Sequence, residues 1–282
     1  MATGIVLEGG AHRAIYTAGV LDVLSENKIH FDGVIGVSAG AIHGCSFVSG
    51  QIGRSINYTL KYASDKRYMS FYSLITTGNM VGEQFCYHDL PEKLFPFNHD
   101  AFEASPSAFY VTCTNLQTGK AEYIRCEELR NKMPYLRASA SMPFVSRISK
   151  IENNEYLDGG IADSIPVRAF QNMGYNKCVV VQTRAAGYVK KPNKLTWLAY
   201  FMYRKFPRFI EAIKNRHIMY NNELADIEKM QKDGQIFVIR PSKLIKISHT
   251  EKNKQVLSEV YELGRQDAQN ALPKLIKFLE NN

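Results

Sequence analysis

A serine set between small residues, Gly36-Val37-Ser38-Ala39-Gly40, follows the apolar run Val34 to Val37 and precedes the apolar segment Ala39 to Val48. A G-x-S-x-G sequence in that setting reads as a nucleophile elbow, a strained strand-to-helix turn that exposes the serine hydroxyl. Gly36 and Gly40 flank the turn where a β-carbon would collide with the adjoining chain. The helix that begins after Ser38 offers unpaired N–H groups to a developing oxyanion. A second small-residue stretch, Gly9-Gly10-Ala11-His12-Arg13, follows the first apolar run, Ile5 to Leu7. Successive small residues at a helix start let N–H groups converge on an anion. It is not a dinucleotide fingerprint, because Ala14 stands where the third glycine is required and the middle glycine is displaced. Alone it reads as a tight turn, and beside an elbow on the next strand as an oxyanion hole.

A serine nucleophile needs a base, ordinarily histidine. His43 lies five residues after Ser38 in the same helix and on a different face, so it reads as a packed or surface residue. His30, His88, His99, His217 and His249 lack the turn context that presents a catalytic base, and His12 stays in view only because it lies in the glycine loop. Asp158 ends the strand-like Glu155-Tyr156-Leu157 and precedes Gly159-Gly160, which would let another group approach closely. By spacing alone an ordinary Asp-Gly turn accounts for it equally well.

The elements that must position these residues alternate between strand and helix, the pattern of an α/β layer fold with a largely parallel sheet. Ile5 to Leu7 and Val34 to Val37 read as buried strands, and Ile15, Ala18, Leu21 and Leu24 as one face of the helix between them. Phe109 to Thr114 and Ala121 to Ile124 read as strands joined across Gln117-Thr118-Gly119, and Asn153-Asn154 as a turn into Glu155 to Leu157. Cys178 to Thr183 and Ile236 to Ile239 add two more, and Lys254 to Leu279 has helical periodicity interrupted at Pro273. No repeat or low-complexity linker appears, so residues 1–282 read as one domain. The longest membrane-like run, Leu195 to Tyr203, is about half the roughly 20 residues that cross a bilayer. The N-terminus lacks a secretory pattern. Five scattered cysteines without zinc-ligand spacing predict reduced structural thiols, no metal and a cytoplasmic setting.

The glycine loop, the elbow and Asp158-Gly159-Gly160, in that order, resemble the patatin-like phospholipase family, specifically its bacterial members. Ala138-Ser139-Ala140-Ser141-Met142-Pro143 resembles the family's Ala/Ser-rich helix end before a proline, and the resemblance spans residues 4 to about 170. It implies a three-layer α/β/α fold, a Ser38–Asp158 dyad without histidine, and hydrolysis of fatty-acyl esters without a metal or organic cofactor. Gly9, Gly10 and Ala11, with Ala39, would form the oxyanion hole, and Arg13 would steady the loop or meet an anionic headgroup. The sequence departs from the family in placing Ala11 where a third glycine is common. Residues 171–282 are expected to add strands and helices packed on this core.

Residues 188–220 carry eight Lys and Arg against Glu211 alone, interleaved with Trp197, Tyr200, Phe201 and other aromatics. This segment reads either as a peripheral membrane dock or lid, or as packed helices with an outward basic face. No nucleic-acid reading motif accompanies it. The expected partner is a lipid or acyl ester; the alternatives are a carboxylesterase or thioesterase on small acyl substrates, or a non-catalytic lipid-binding protein of the same fold.

Overall fold

The apolar runs are buried along their whole length, as strands covered on both sides must be. In the computed structural model, which describes residues 1–280, they and their neighbours form β1 (Thr3–Leu7), β2 (Gly33–Val37), β3 (Ala108–Asn115), β4 (Ala121–Arg125), β5 (Ser149–Ile151), β6 (Asn154–Asp158), β7 (Lys177–Val181) and β8 (Ile236–Ile239). One sheet has the order β5-β6-β3-β2-β1-β7-β8, with β4 also paired to β3. The pairs from β3 through β8 are parallel, whereas β4 and β6 run antiparallel to β3 and β5 antiparallel to β6.

The helices are α1 (Ile15–Glu26), α2 (Ala39–Val48), α3 (Arg54–Tyr62), α4 (Phe71–Thr77), α5 (His99–Glu103), α6 (Leu129–Ser139), α7 (Val167–Asn172), α8 (Thr196–Met202), α9 (Pro207–Lys232) and α10 (Lys254–Glu280). Alternation along the strands sorts them into two outer layers. Ile5 and Leu7 face a core shared with α1, α2, α6 and α10, while Val6 faces one shared with α7 and α9. The architecture is therefore the expected three-layer α/β/α sandwich around a largely parallel sheet.

Several local expectations change. α10 runs through Pro273 without a break, because that proline lies on the exposed side, where the carbonyl it leaves unbonded meets water while Leu257, Val260, Ala268 and Leu275 stay buried. The turn before β6 sits at Glu152-Asn153, with Glu152 at φ 54, and Asn154 already belongs to the strand. β7 ends at Val181 rather than Thr183, since the Thr183 N–H turns inward to the Glu8 carboxylate. Between α2 and β3, the helices α3, α4 and α5 and a π-helical stretch, Phe85–Leu94, form a cover that periodicity did not reveal.

Candidate active site

β3 decides where the two site strands end. One of its edges is taken by β4 over Tyr110–Thr114 and the other by β2 over Ala108–Thr112. β6 pairs with Cys113–Asn115, so it must lie on the β2 edge, just past the β2 tip. Val37 is opposite Thr112 and Asp158 is opposite Cys113, and the two strands meet end to end. This brings Ser38 and Asp158 together from 120 residues apart in sequence.

Ser38 is held at φ 55, a left-handed conformation uncommon for residues other than glycine, at the N-terminus of α2. The glycines around it permit the turn. A β-carbon on Gly36 would lie 2.4 Å from the Ala41 Cα, and one on Gly40 would lie 2.5 Å from the Leu7 carbonyl oxygen. The Ser38 N–H donates to Ser139 Oγ at 2.8 Å. The Asp158 N–H donates to the Ser141 carbonyl at 2.9 Å, and the Thr114 hydroxyl donates to the Asp158 carbonyl at 2.8 Å. The Ala138–Pro143 stretch thus holds both halves of the site, a role its composition did not announce.

The Asp158 carboxylate accepts from the Gly160 N–H at 2.8 Å. A β-carbon on Gly159 would lie 2.2 Å from the Thr112 carbonyl oxygen, which explains one glycine of the pair. Burial raises the Asp158 pKa above the ordinary carboxylate range; Arg216, a hydrogen bond with Ser38, the Gly160 N–H and Lys190 each draw it back.

The glycine loop abuts the elbow: a β-carbon on Gly9 would lie 2.9 Å from the Val37 carbonyl oxygen and 3.0 Å from Ser38 Cβ. The N–H groups of Gly9, Gly10, Ala11 and Ala39 meet no acceptor among the described residues. Ala11 takes φ 48, so this alanine adopts a backbone conformation that glycine would hold without strain.

Two cavities meet at Ser38, Ala11 and Met142. The first, 970 Å³ with its open mouth included, is apolar and lies under α3, α6 and the π-helical stretch. His12 and His43 line it, with both ring nitrogens of His12 and Nδ1 of His43 unpartnered among the described residues. Burial lowers their pKa values to about 4 and about 3, so both are neutral near pH 7, lining the apolar cavity. The second cavity, 1090 Å³ on the same measure, is polar and contains Asp158, Arg13, Arg184, Lys190 and Arg216.

Of the sequence candidates, Ser38, Asp158, Gly9, Gly10, Ala11 and Arg13 line this second cavity, and Ala39 lines the first. Glu8 and Arg184 escaped the sequence reading, while Ser139, Lys190 and Arg216 entered it only as members of a helix end and a basic segment and not as site residues. Arg216 left a trace there: it stands at helical spacing with Phe209, Ile213 and Tyr220, a charge on the apolar stripe of α9.

Residues 188–220 divide rather than act as one segment. Phe209, Ile210 and Ile213 pack against Leu116, Leu157 and Ile161, while α8 leaves Trp197 69% and Phe201 78% exposed. Among the described residues no helix is long and apolar enough to cross a membrane.

Comparison with known proteins agrees with this frame. A family model described as Patatin-like phospholipase matches residues 5–170, and a domain of unknown function (DUF6363) matches residues 206–280. The uncharacterized protein YjjU of Escherichia coli (strain K12) is 26% identical over 271 residues, covering 93% of this chain and 74% of that protein. The crystal structure of VipD from Legionella pneumophila aligns with a TM-score of 0.47 at 11% identity, covering 97% of this chain and 67% of that one. With more than half of its length matched by the first model, the chain belongs to the patatin-like phospholipase family of lipid acyl hydrolases.

Proposed function

We propose that the protein hydrolyses fatty-acyl esters of lipids with Ser38 as nucleophile and Asp158 as its base. The observation that carries this reading is the end-to-end meeting of β2 and β6 beside N–H groups that lack acceptors among the described residues. Ser38 Oγ attacks the ester carbonyl carbon while Asp158 takes its proton. The N–H groups of Gly9, Gly10, Ala11 and Ala39 receive the charge on the carbonyl oxygen. Collapse breaks the bond to the leaving alcohol, which takes the proton from Asp158. Water, deprotonated by the same carboxylate, then releases the fatty acid and restores Ser38. The apolar cavity accepts the acyl chain, and no histidine is required because the raised basicity of Asp158 serves in its place.

Turnover of p-nitrophenyl esters and phospholipids by the wild type, Ser38→Ala and Asp158→Asn tests the dyad. Both variants are expected to lose about a thousandfold or more in kcat, and Ser38→Ala to lose labelling by a fluorophosphonate. Equal turnover by all three proteins would refute it.

The reading extends to where the substrate lies. Exposed aromatic and aliphatic side chains on α8 and on α4, where Ile75 is 84% exposed, stand on either side of the Met142–Arg147 loop at the cavity mouth. That loop is tied to both: the Phe144 N–H donates to the Tyr203 hydroxyl just after α8, and the Arg147 N–H donates to Asn79 Oδ1 just after α4. With Lys191, Lys194, Arg204 and Lys205 around α8, this face suits an anionic lipid surface, and vesicle co-sedimentation is its readout.

A further inference from the structure

The polar cavity beside Ser38 carries more positive charge than its own residues neutralise. Arg13, Arg184, Lys190 and Arg216 line it, and none makes an ion pair among the described residues. The carboxylates in its wall are Glu8 and Asp158. Glu8 is already engaged by the Tyr220 hydroxyl at 2.5 Å and the Thr183 N–H at 2.6 Å. Behind the wall, burial raises both Glu223 and Asp163, and Asp163 raises Glu223 further, so the pair holds a proton in common rather than two full negative charges. Arg13 Nε is buried without a partner among the described residues. Burial and then Arg216 push the Lys190 ammonium down to about 8, as expected where cations crowd without an anion between them.

The cavity is equally unsuited to a cationic headgroup. Of the Phe144 and Tyr220 rings in its wall, Tyr220 already carries Lys190 at 4.7 Å, and a quaternary ammonium placed over Phe144 would still face four cationic side chains. An excess of two positive charges matches a phosphate monoester, which carries about −1.5 to −2 near neutrality. One apolar cavity reaches Ser38 from the other side, so a single acyl chain and a compact anion fill the two spaces.

We propose that the preferred substrate is a fatty-acyl glycerol phosphate, its phosphomonoester held by Arg13, Arg184, Lys190 and Arg216 while the ester carbonyl lies at Ser38. This rests on the hydrolase reading above. Hydrolysis consumes one water, breaks the acyl C–O bond, and yields a fatty acid and glycerol phosphate.

Binding to the full-length Ser38→Ala protein, which keeps both cavities, tests headgroup recognition apart from the chemistry. Calorimetric titration with 1-oleoylglycerol 3-phosphate is compared with its phosphocholine counterpart, with 1-oleoylglycerol and with oleoyl-CoA. The phosphomonoester is expected to bind at least about tenfold tighter than each of the others. Arg184→Gln or Lys190→Gln on the same background should cut that advantage to less than about threefold, and Arg184→Lys should retain most of it. Thermal melting verifies that each variant is folded. Equal affinity for the first three lipids, tighter binding of oleoyl-CoA, or an advantage that survives both Gln substitutions would overturn the proposal. Failure of wild-type turnover on p-nitrophenyl esters would instead strike the dyad, and the order of affinities would still decide the headgroup question.

Discussion

Burial pushes the Asp158 carboxyl upward, and Arg216, whose Nε donates to the Gly160 carbonyl, exerts the largest opposing pull. A base with a raised pKa loses its function as pH falls through that value, because the protonated carboxyl cannot accept from Ser38. Arg216→Gln removes the largest lowering influence, so the folded-state pKa rises further and the acidic limb of kcat/KM moves to higher pH. With p-nitrophenyl butyrate, which carries no phosphate, the activity loss at pH 5 is expected to be about tenfold larger than at pH 8. A uniform loss across the pH range would show that Arg216 acts only by packing. Ser38 and its glycines were legible because the turn imposes its own local sequence. Asp158 was not decidable from spacing, since its place beside Ser38 comes from the register of β6 on β3. Arg216, Lys190 and Arg184 arrive from distant segments, and only the misplaced charge on the α9 stripe hinted at them.

At the level of elements, α1 and α10 approach closely through reciprocal glycines. A β-carbon on Gly19 would lie 2.2 Å from the Tyr261 carbonyl oxygen, and one on Gly264 would lie 2.1 Å from the Tyr16 carbonyl oxygen. Polar contacts lock the crossing: the Tyr261 hydroxyl donates to Asp22 at 2.7 Å, and Arg265 reaches Glu26 with both terminal nitrogens. Any side chain at Gly264 must push the helices apart, with backbone rather than a flexible side chain in the way. Gly264→Val is expected to lower Tm by about 5 °C or more, read by calorimetry. An unchanged Tm would show that the helices can separate at no cost. Every strand but β5, together with α1, α2 and α10, could be read from periodicity, but α3 through α5 and the full length of α9 could not. Tyr58 and Tyr62 of α3 pack largely on Phe85 and Phe95 at the two ends of the π-helical stretch, short pieces that leave no sustained 3.6-residue pattern.

On the scale of the whole molecule, the positive charge of residues 188–220 falls in two places that composition cannot separate. Lys190 and Arg216 point into the polar cavity, whereas Lys191, Lys194, Arg204 and Lys205 surround the exposed aromatics of α8. Replacing Trp197 and Phe201 together by Asp should reduce co-sedimentation with anionic vesicles by about tenfold or more, because two large apolar groups and a favourable charge balance are lost at once. Vesicle binding that persists unchanged would remove α8 from the docking surface. Neither of the two sequence-based accounts of residues 188–220 describes the segment entire, since α8 is exposed while the start of α9 is core.

The head-on junction of β2 with β6 has one more consequence. Apart from the helical turn at Ala11–Ile15, every residue lining the apolar cavity lies between Ser38 and Met142, in the excursion the chain makes from one strand tip to the other. Most of the residues lining the polar cavity, its four cationic side chains among them, lie outside that excursion. On the acyl-ester reading proposed above, length of the fatty tail and identity of the polar end would be set by separate stretches of polypeptide, so that one could be rewritten without disturbing the other.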